Sequence, residues 1–291
     1  MTSLLLLALL AQPDFSAIER QTGARIGVSI RHIESGRAWN WRGDERFPAM
    51  SVYKYPIAIA VLKAADSGRI RLGEPITVRQ SDIRDGLSSF LDNKKLPAPR
   101  RFTVRELISG MVSHSDNTAC DMLLARIGGP AEVTRVLRAL GITGMSVDLD
   151  ERDMGREIIR LGPQGFDRDG RNSSTPAAMA SLLEMTQRAE LQLKPESHRL
   201  IIRILEETVT GARRLKAGLP PSTPLWHKTG TGPRINGVNL ATNDAGVFTL
   251  PDGSHAAIAV FVKMGTAPDG ALEAAVSRIA RQAYSLAAGA K

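Results

Sequence analysis

The chain has one cysteine, Cys120, among its 291 residues. A single thiol excludes an internal disulfide, and no Cys or His accompanies it at the spacing of a metal site. A small buried residue on a helix is the role it suggests. Aromatic residues are scarce at 4%, and the 38 Lys and Arg side chains are scattered. No dense basic run or basic stripe interleaved with aromatics is present, so the formal charge of +8 describes a basic soluble protein and not a nucleic-acid binder. Long apolar runs are missing too. The one candidate, Leu4–Ala11, is far too short to span a bilayer but suits the core of an export signal, although no positive segment precedes it. It predicts a signal peptide over residues 1–13 and a periplasmic or secreted protein.

What is present is enough apolar material for a sizeable core. Apolar residues make up 43% and charged residues 23%, which excludes a disordered chain. Arg25–Glu34 alternates apolar and polar residues and leads into Ser35-Gly36, as a strand ending in a turn does, and Arg37–Trp41 is its hairpin partner. A long helical stretch follows through Ile57–Leu62, Val104–Val112, Asn117–Ile127 and Pro130–Leu140. Thr175-Pro176 caps another helix, and Arg199–Glu206 continues the pattern. Short β-rich runs return at Pro224–Thr231, Ala245–Leu250 and Ala256–Met264, and Ala271–Ala288 closes the chain as an amphipathic helix. Arg152–Ser174, rich in Gly, Asp and Arg, reads as a long loop, and loops of that length are often functional. The predicted fold is α/β (α+β), with an antiparallel sheet built from both termini and flanked by helices. Residues 14–48 with 208–291 form the α/β domain, 49–207 an inserted all-helical domain, and the active site lies between them.

Ser51 and Lys54 stand one helical turn apart at the mouth of an apolar run, in SVYKYPIAIA. The helix N-terminus favours a developing alkoxide, and burial of the lysine stem favours its neutral, proton-accepting form. These conditions suit a nucleophilic serine. Pro56 lies just beyond the positions whose N–H groups are naturally free. Ser115-Asp116-Asn117 is by itself a helix cap; in a site, Ser115 relays a proton and Asn117 orients the lysine or a substrate amide. Lys228-Thr229-Gly230, followed by Thr231, is by itself a strand edge with a gatekeeper lysine. In a site it supplies a cation and hydroxyls for a carboxylate, and a glycine that permits close backbone approach.

Ser-x-x-Lys, Ser-Asp-Asn and Lys-Thr-Gly in that order resemble the signature of class A β-lactamases and penicillin-binding proteins. SVYKYPIAIAVL, MVSHSDNTACDMLL, STPAAMASLL and WHKTGTG all look like class A segments, and ATNDAGVFTLPDG is similar to the PER and VEB branch. The resemblance implies a serine β-lactamase acting on penicillins and cephalosporins as a monomer, with no cofactor or metal. In it, Ser51 attacks the lactam carbonyl and Lys54 helps to deprotonate it. Ser115 passes a proton to the leaving nitrogen, and Lys228 and Thr231 engage the substrate carboxylate. The N–H groups of Ser51 and Thr231 form the oxyanion hole.

The family's deacylating glutamate lacks its usual setting here. Glu151, in DERDM, is the candidate at 36 positions after Ser115, and Glu157 is the competitor. Gly155 stands where the family often has a water-holding asparagine, and Asn172 where an aspartate often closes the loop by an ion pair. The PER and VEB branch implies that Arg214, 14 positions before Lys228, adds charge for the carboxylate, with Arg213 beside it solvated. Two other functions fit the three motifs: a penicillin-binding DD-peptidase, which would lack the glutamate, and a non-catalytic protein of the same fold.

Overall fold

Strands form at both ends of the chain and helices between them. The structure, a computed structural model, describes residues 13–289; the predicted export signal falls almost entirely outside these. α1 (Ser16–Thr22) leads into the hairpin of β1 (Arg25–His32) and β2 (Ala38–Trp41), then β3 (Phe47–Pro48). A 3-10 turn (Met50–Tyr53) runs directly into α2 (Lys54–Asp66). β4 (Pro75–Val78) pairs with β5 (Arg100–Thr103), and α3 (Val104–Ser113), α4 (Asn117–Ile127) and α5 (Pro130–Ala139) follow. Next come α6 (Glu151–Asp169), β6 (Ser173–Ser174), α7 (Pro176–Gln187), α8 (Pro195–Glu206) and α9 (Leu215–Gly218). β7 (Leu225–Thr231), β8 (Arg234–Ile235), β9 (Val238–Thr249), β10 (His255–Gly265) and α10 (Asp269–Ala288) complete the chain.

The main sheet is antiparallel with strand order β2-β1-β10-β9-β7, and β8 pairs with β9. β1 meets β10 from Arg25↔Lys263 to His32↔Ala256, so the first and last strands are neighbours. Both sheet faces are covered. Ile26, Val28, Ile30, Ile258, Val260 and Val262 pack against Leu272, Val276 and Ile279 of α10. Phe261, Ala259 and Val247 face Met179 and Leu183 of α7. α2 is apolar on every side, and its residues from Lys54 to Leu62 are all buried, as befits a helix at the centre of a bundle. Each Ile, Val or Leu so buried contributes about 1.5–3 kcal/mol. Cys120 is fully buried against α2, 3.5 Å from the Tyr53 hydroxyl. Pro56 causes no break because it is the third residue of α2, within the first turn.

The expected loop at Arg152–Ser174 is mostly helix. Four glycines and a proline suggested irregular backbone, but Asp150 caps α6 by accepting the Asp153 N–H at 2.8 Å. Met154, Ile158 and Phe166 bury one face. The helix has two pieces: Gly162, with φ 66° and ψ 173°, interrupts it, and Pro163 starts the second piece at a first-turn position. Lys263 of β10 holds that second piece to the sheet, with Nζ 3.0 Å from Asp167 and 4.7 Å from the centre of the Phe47 ring. β9 is also longer than the Ala245–Leu250 expected. It begins at Val238 and carries the buried polar residues Asn239, Thr242, Asn243 and Asp244. No helix among the described residues is long and apolar enough to cross a membrane.

The two glycines of α6 make a test of opposite signs. Gly155 is helical with open space around its missing Cβ, whereas Gly162 holds the left-handed φ of the kink. Gly155→Ala is expected to stabilise the protein by about 0.5–1 kcal/mol in urea unfolding. Gly162→Ala is expected to destabilise it by about 1 kcal/mol. A loop at this position would make both changes near neutral.

Candidate active site

The two serines predicted for the site follow or occupy strained backbone. Met50, just before Ser51, has φ 45°, and Ser115 itself has φ 61°. Non-glycine residues in this region concentrate at functional sites. The turn at Ser115 ends α3 and lets one residue face two lysines. Its carbonyl accepts from Lys54 Nζ at 2.7 Å, and its hydroxyl accepts from Lys228 Nζ at 2.9 Å.

Lys54 is fully buried; its ammonium donates to Ser115 O and to Asn117 Oδ1 at 2.5 Å and forms an ion pair with Glu151 Oε1 at 2.9 Å. The sequence suggested that burial would leave this lysine neutral. Burial does pull the ammonium down, but the Glu151 carboxylate and the more distant Asp92 outweigh it, and the group is held above the ordinary lysine value. The depressed lysine is Lys228. Burial, then the nearby Lys54 charge, push it well below its ordinary value.

Glu151 is the first residue of α6 and is buried. Asp121 of α4 fixes that end, accepting the Glu151 N–H at 2.8 Å and the Arg152 N–H at 3.3 Å. Burial pushes the Asp121 carboxyl up to about 6, although Arg84 donates to it at 2.6 Å. Glu157 lies elsewhere, paired on the surface with Arg160 at 2.6 Å and Arg171 at 2.7 Å. Asn172 is buried and closes the segment by hydrogen bonds instead of an ion pair: it accepts from the Asp148 and Leu149 N–H groups and donates to Leu149 O. Asp116 caps α4 through the Ala119 N–H at 2.7 Å and also accepts from Leu91 and Asp92 N–H groups. Asn117 donates to Asp85 O at 2.8 Å, so its amide is spent on Lys54 and the 85–92 segment.

β7 forms the opposite wall. A Cβ on Gly230 would lie 2.6 Å from Ala49 O and 3.1 Å from Val52 N, so only glycine lets this strand press on the turn that carries Ser51. Arg214 is buried beneath it. Its guanidinium donates to Gly230 O at 3.1 Å, Asn243 O at 2.9 Å and Thr231 Oγ1 at 2.7 Å. Arg213 is exposed and pairs with Glu273. Ser51, Ser115, Asn117, Thr229, Thr231 and Arg214 line one cavity of about 340 Å³, the size of a small-molecule site. Lys54 and Lys228 hydrogen-bond to residues in that lining, and Glu151 pairs with Lys54 from behind it.

Asn243 and Asp244 were not singled out from the sequence. Asn243 donates to Pro48 O at 2.8 Å and so holds the approach to Ser51. Asp244 accepts from the N–H of Leu215, next to Arg214, and lies 2.8 Å from His227 Nδ1. The signals available were polar residues interrupting a β-rich run and their place in the ATNDAGVFTLPDG stretch.

A profile of the β-lactamase enzyme family matches residues 11–287. The chain is 37% identical over 240 residues to β-lactamase VEB-1 of Pseudomonas aeruginosa, covering 82% of this chain and 77% of that one. It is 33% identical over 247 residues to the extended-spectrum β-lactamase PER-1 of the same organism, covering 82% and 75%. The crystal structure of TLA-3 extended-spectrum β-lactamase superposes with a TM-score of 0.85 at 31% identity, over 94% of this chain and 98% of that one. An ancestral class A β-lactamase gives 0.81 at 32% identity, over 92% and 96%. With its fold, motif order and nearly full length matched, the chain belongs to the β-lactamase enzyme family, among the class A serine hydrolases.

Proposed function

We propose that this β-lactamase opens the lactam amide of penicillins and cephalosporins through an acyl-enzyme on Ser51. The observation that carries the reading is the buried Lys54–Glu151 pair beside the nucleophile. The ion pair with Glu151 holds Lys54 protonated in the resting site, so Lys54 must lose a proton before it can take one. Glu151 is the base within reach. The proton passes from Lys54 to Glu151, and neutral Lys54 then takes the Ser51 proton as Oγ attacks the lactam carbonyl. The N–H groups of Ser51 and Thr231 receive the oxyanion. Ser115, hydrogen-bonded to Lys228, gives its hydroxyl proton to the leaving nitrogen. Lys54 returns the Ser51 proton to Ser115 and takes back its own from Glu151, and the Glu151 carboxylate so restored activates the water that releases the product.

Burial, then the Lys54 charge and more weakly that of Arg214, disfavour the Lys228 charge in the resting site. A substrate carboxylate relieves this, held by Lys228 and Arg214 with the hydroxyls of Thr229 and Thr231 and the close-packed backbone of Gly230. Asn117 acts here by orienting Lys54. The glutamate on Lys54 favours turnover over the slow release of a penicillin-binding peptidase. The active form is a monomer, with the site between the helical part (49–207) and the α/β part (14–48 and 208–291). The Leu4–Ala11 run supports export to the periplasm or beyond.

Three sets of variants test the assignment. Ser51→Ala is expected to abolish covalent penicillin labelling and to lower turnover by about three powers of ten or more; labelling that persists would sink the nucleophile. Glu151→Gln is expected to acylate and then accumulate adduct by intact-mass spectrometry, while Glu157→Gln turns over normally. The reverse pattern assigns the base to Glu157. Arg214→Ala is expected to raise KM for penicillins with a smaller loss in kcat, and Arg213→Ala to change little. Equal, near-zero effects of both on kcat/KM would remove Arg214 from carboxylate binding.

A further inference from the structure

A second cavity lies along β7, against the outer end of the strand. Its volume, about 370 Å³, matches that of the catalytic cavity at about 340 Å³, and the two share no lining residue. His227, the residue before Lys228, lines it. The His227 Nδ1 lies 2.8 Å from buried Asp244, and its Nε2 has no hydrogen-bond partner among the described residues. Thr208 also lines the cavity and donates to His227 O at 2.7 Å. Leu219 and Leu225 supply apolar wall. Two exposed residues of opposite charge complete it, Lys216 on α9 and Glu206 at the end of α8. Neither side chain has an ion pair or hydrogen bond among the described residues.

We propose that this cavity binds a small zwitterion with an apolar body, the chemistry of a free apolar amino acid. Lys216 takes the carboxylate, Glu206 takes the ammonium, and Leu219 and Leu225 cover the side chain. His227, with Nδ1–H donated to Asp244, presents Nε2 as a further acceptor for the ammonium. A simple anion would leave Glu206 opposing it, and a simple cation would leave Lys216 opposing it. The volume suits one amino acid and excludes a long peptide. The Thr208–Gly211 segment separates this ligand from the catalytic cavity, and the Thr210 and Thr229 hydroxyls, 2.6 Å apart, continue the contact to the far side.

The test uses the full chain, 15N-labelled, titrated with L-tryptophan, N-acetyl-L-tryptophan and L-tryptophanamide. L-Tryptophan is expected to give saturable shifts at the amides of Thr208, Lys216 and Leu225. Each capped form is expected to bind about two- to fivefold more weakly, the scale of one solvent-exposed ion pair. Lys216→Gln is expected to lower affinity for tryptophan by the same factor and to erase its advantage over the amide. The proposal is overturned by no saturable shift at these amides, by shifts confined to Ser88 and Ser115 in the catalytic cavity, or by equal affinity for all three compounds. The readout is binding, so it stands or falls independently of the role given to Ser51.

Discussion

A lysine ammonium buried at the centre of this protein has to find hydrogen-bond acceptors and a counter-charge, and much of the site follows from that demand. Removing Lys54 from water costs several kcal/mol, which only close, complete pairing offsets. The partners come from two parts of the chain. Ser115 brings its carbonyl by adopting a left-handed turn, Asn117 its side chain from the first turn of α4, and Glu151 its carboxylate from the first turn of α6. The residues behind them hold those turns in place. Asp116 and Asp92 fasten the start of α4, and Asp121 fastens the start of α6.

The second wall obeys a steric constraint. β7 must lie against the Met50–Tyr53 turn for Thr231 and Ser51 to share a cavity, and the missing side chain of Gly230 makes that possible. The approach gathers Lys54, Lys228 and Arg214 in a small volume. Their repulsion is moderated by Glu151, Asp244 and Glu273, each set on one of the cations or on the backbone beside it. Lys228 is the one of the three with no carboxylate in contact, and so the cation left for an anionic group.

Much of this was legible in the sequence. The outer strands, α4, α5, α7 and α10 show their periods and caps in short windows, and local signals of that kind survive tertiary packing. The three motifs named Ser51, Lys54, Ser115, Asn117 and Lys228 because their residue types and order are specific. Interval and context together singled out Glu151. The Arg152–Ser174 segment misled because glycine content speaks for flexible backbone, whereas Met154, Ile158 and Phe166, buried on one face, hold it helical. The start of β9 was missed because Thr242, Asn243 and Asp244 lack the apolar character of a buried strand and are satisfied by partners far away in sequence.

The charge of the two lysines shows where local reading stops. The sequence by itself determined that Lys54 sits in apolar surroundings one turn from Ser51, and that Lys228 lies on a strand ending in glycine and threonine. From burial alone, Lys54 would be the neutral one. Only the tertiary structure decided otherwise, because the sign of a buried group's shift depends on which charges fold against it. Glu151 arrives beside Lys54 from 97 positions away and keeps it protonated, while Lys228 meets another lysine's field without a carboxylate of its own in contact. Desolvation follows from nearby apolar residues, but the pairing that opposes it is a long-range geometric fact that no short stretch of sequence contains.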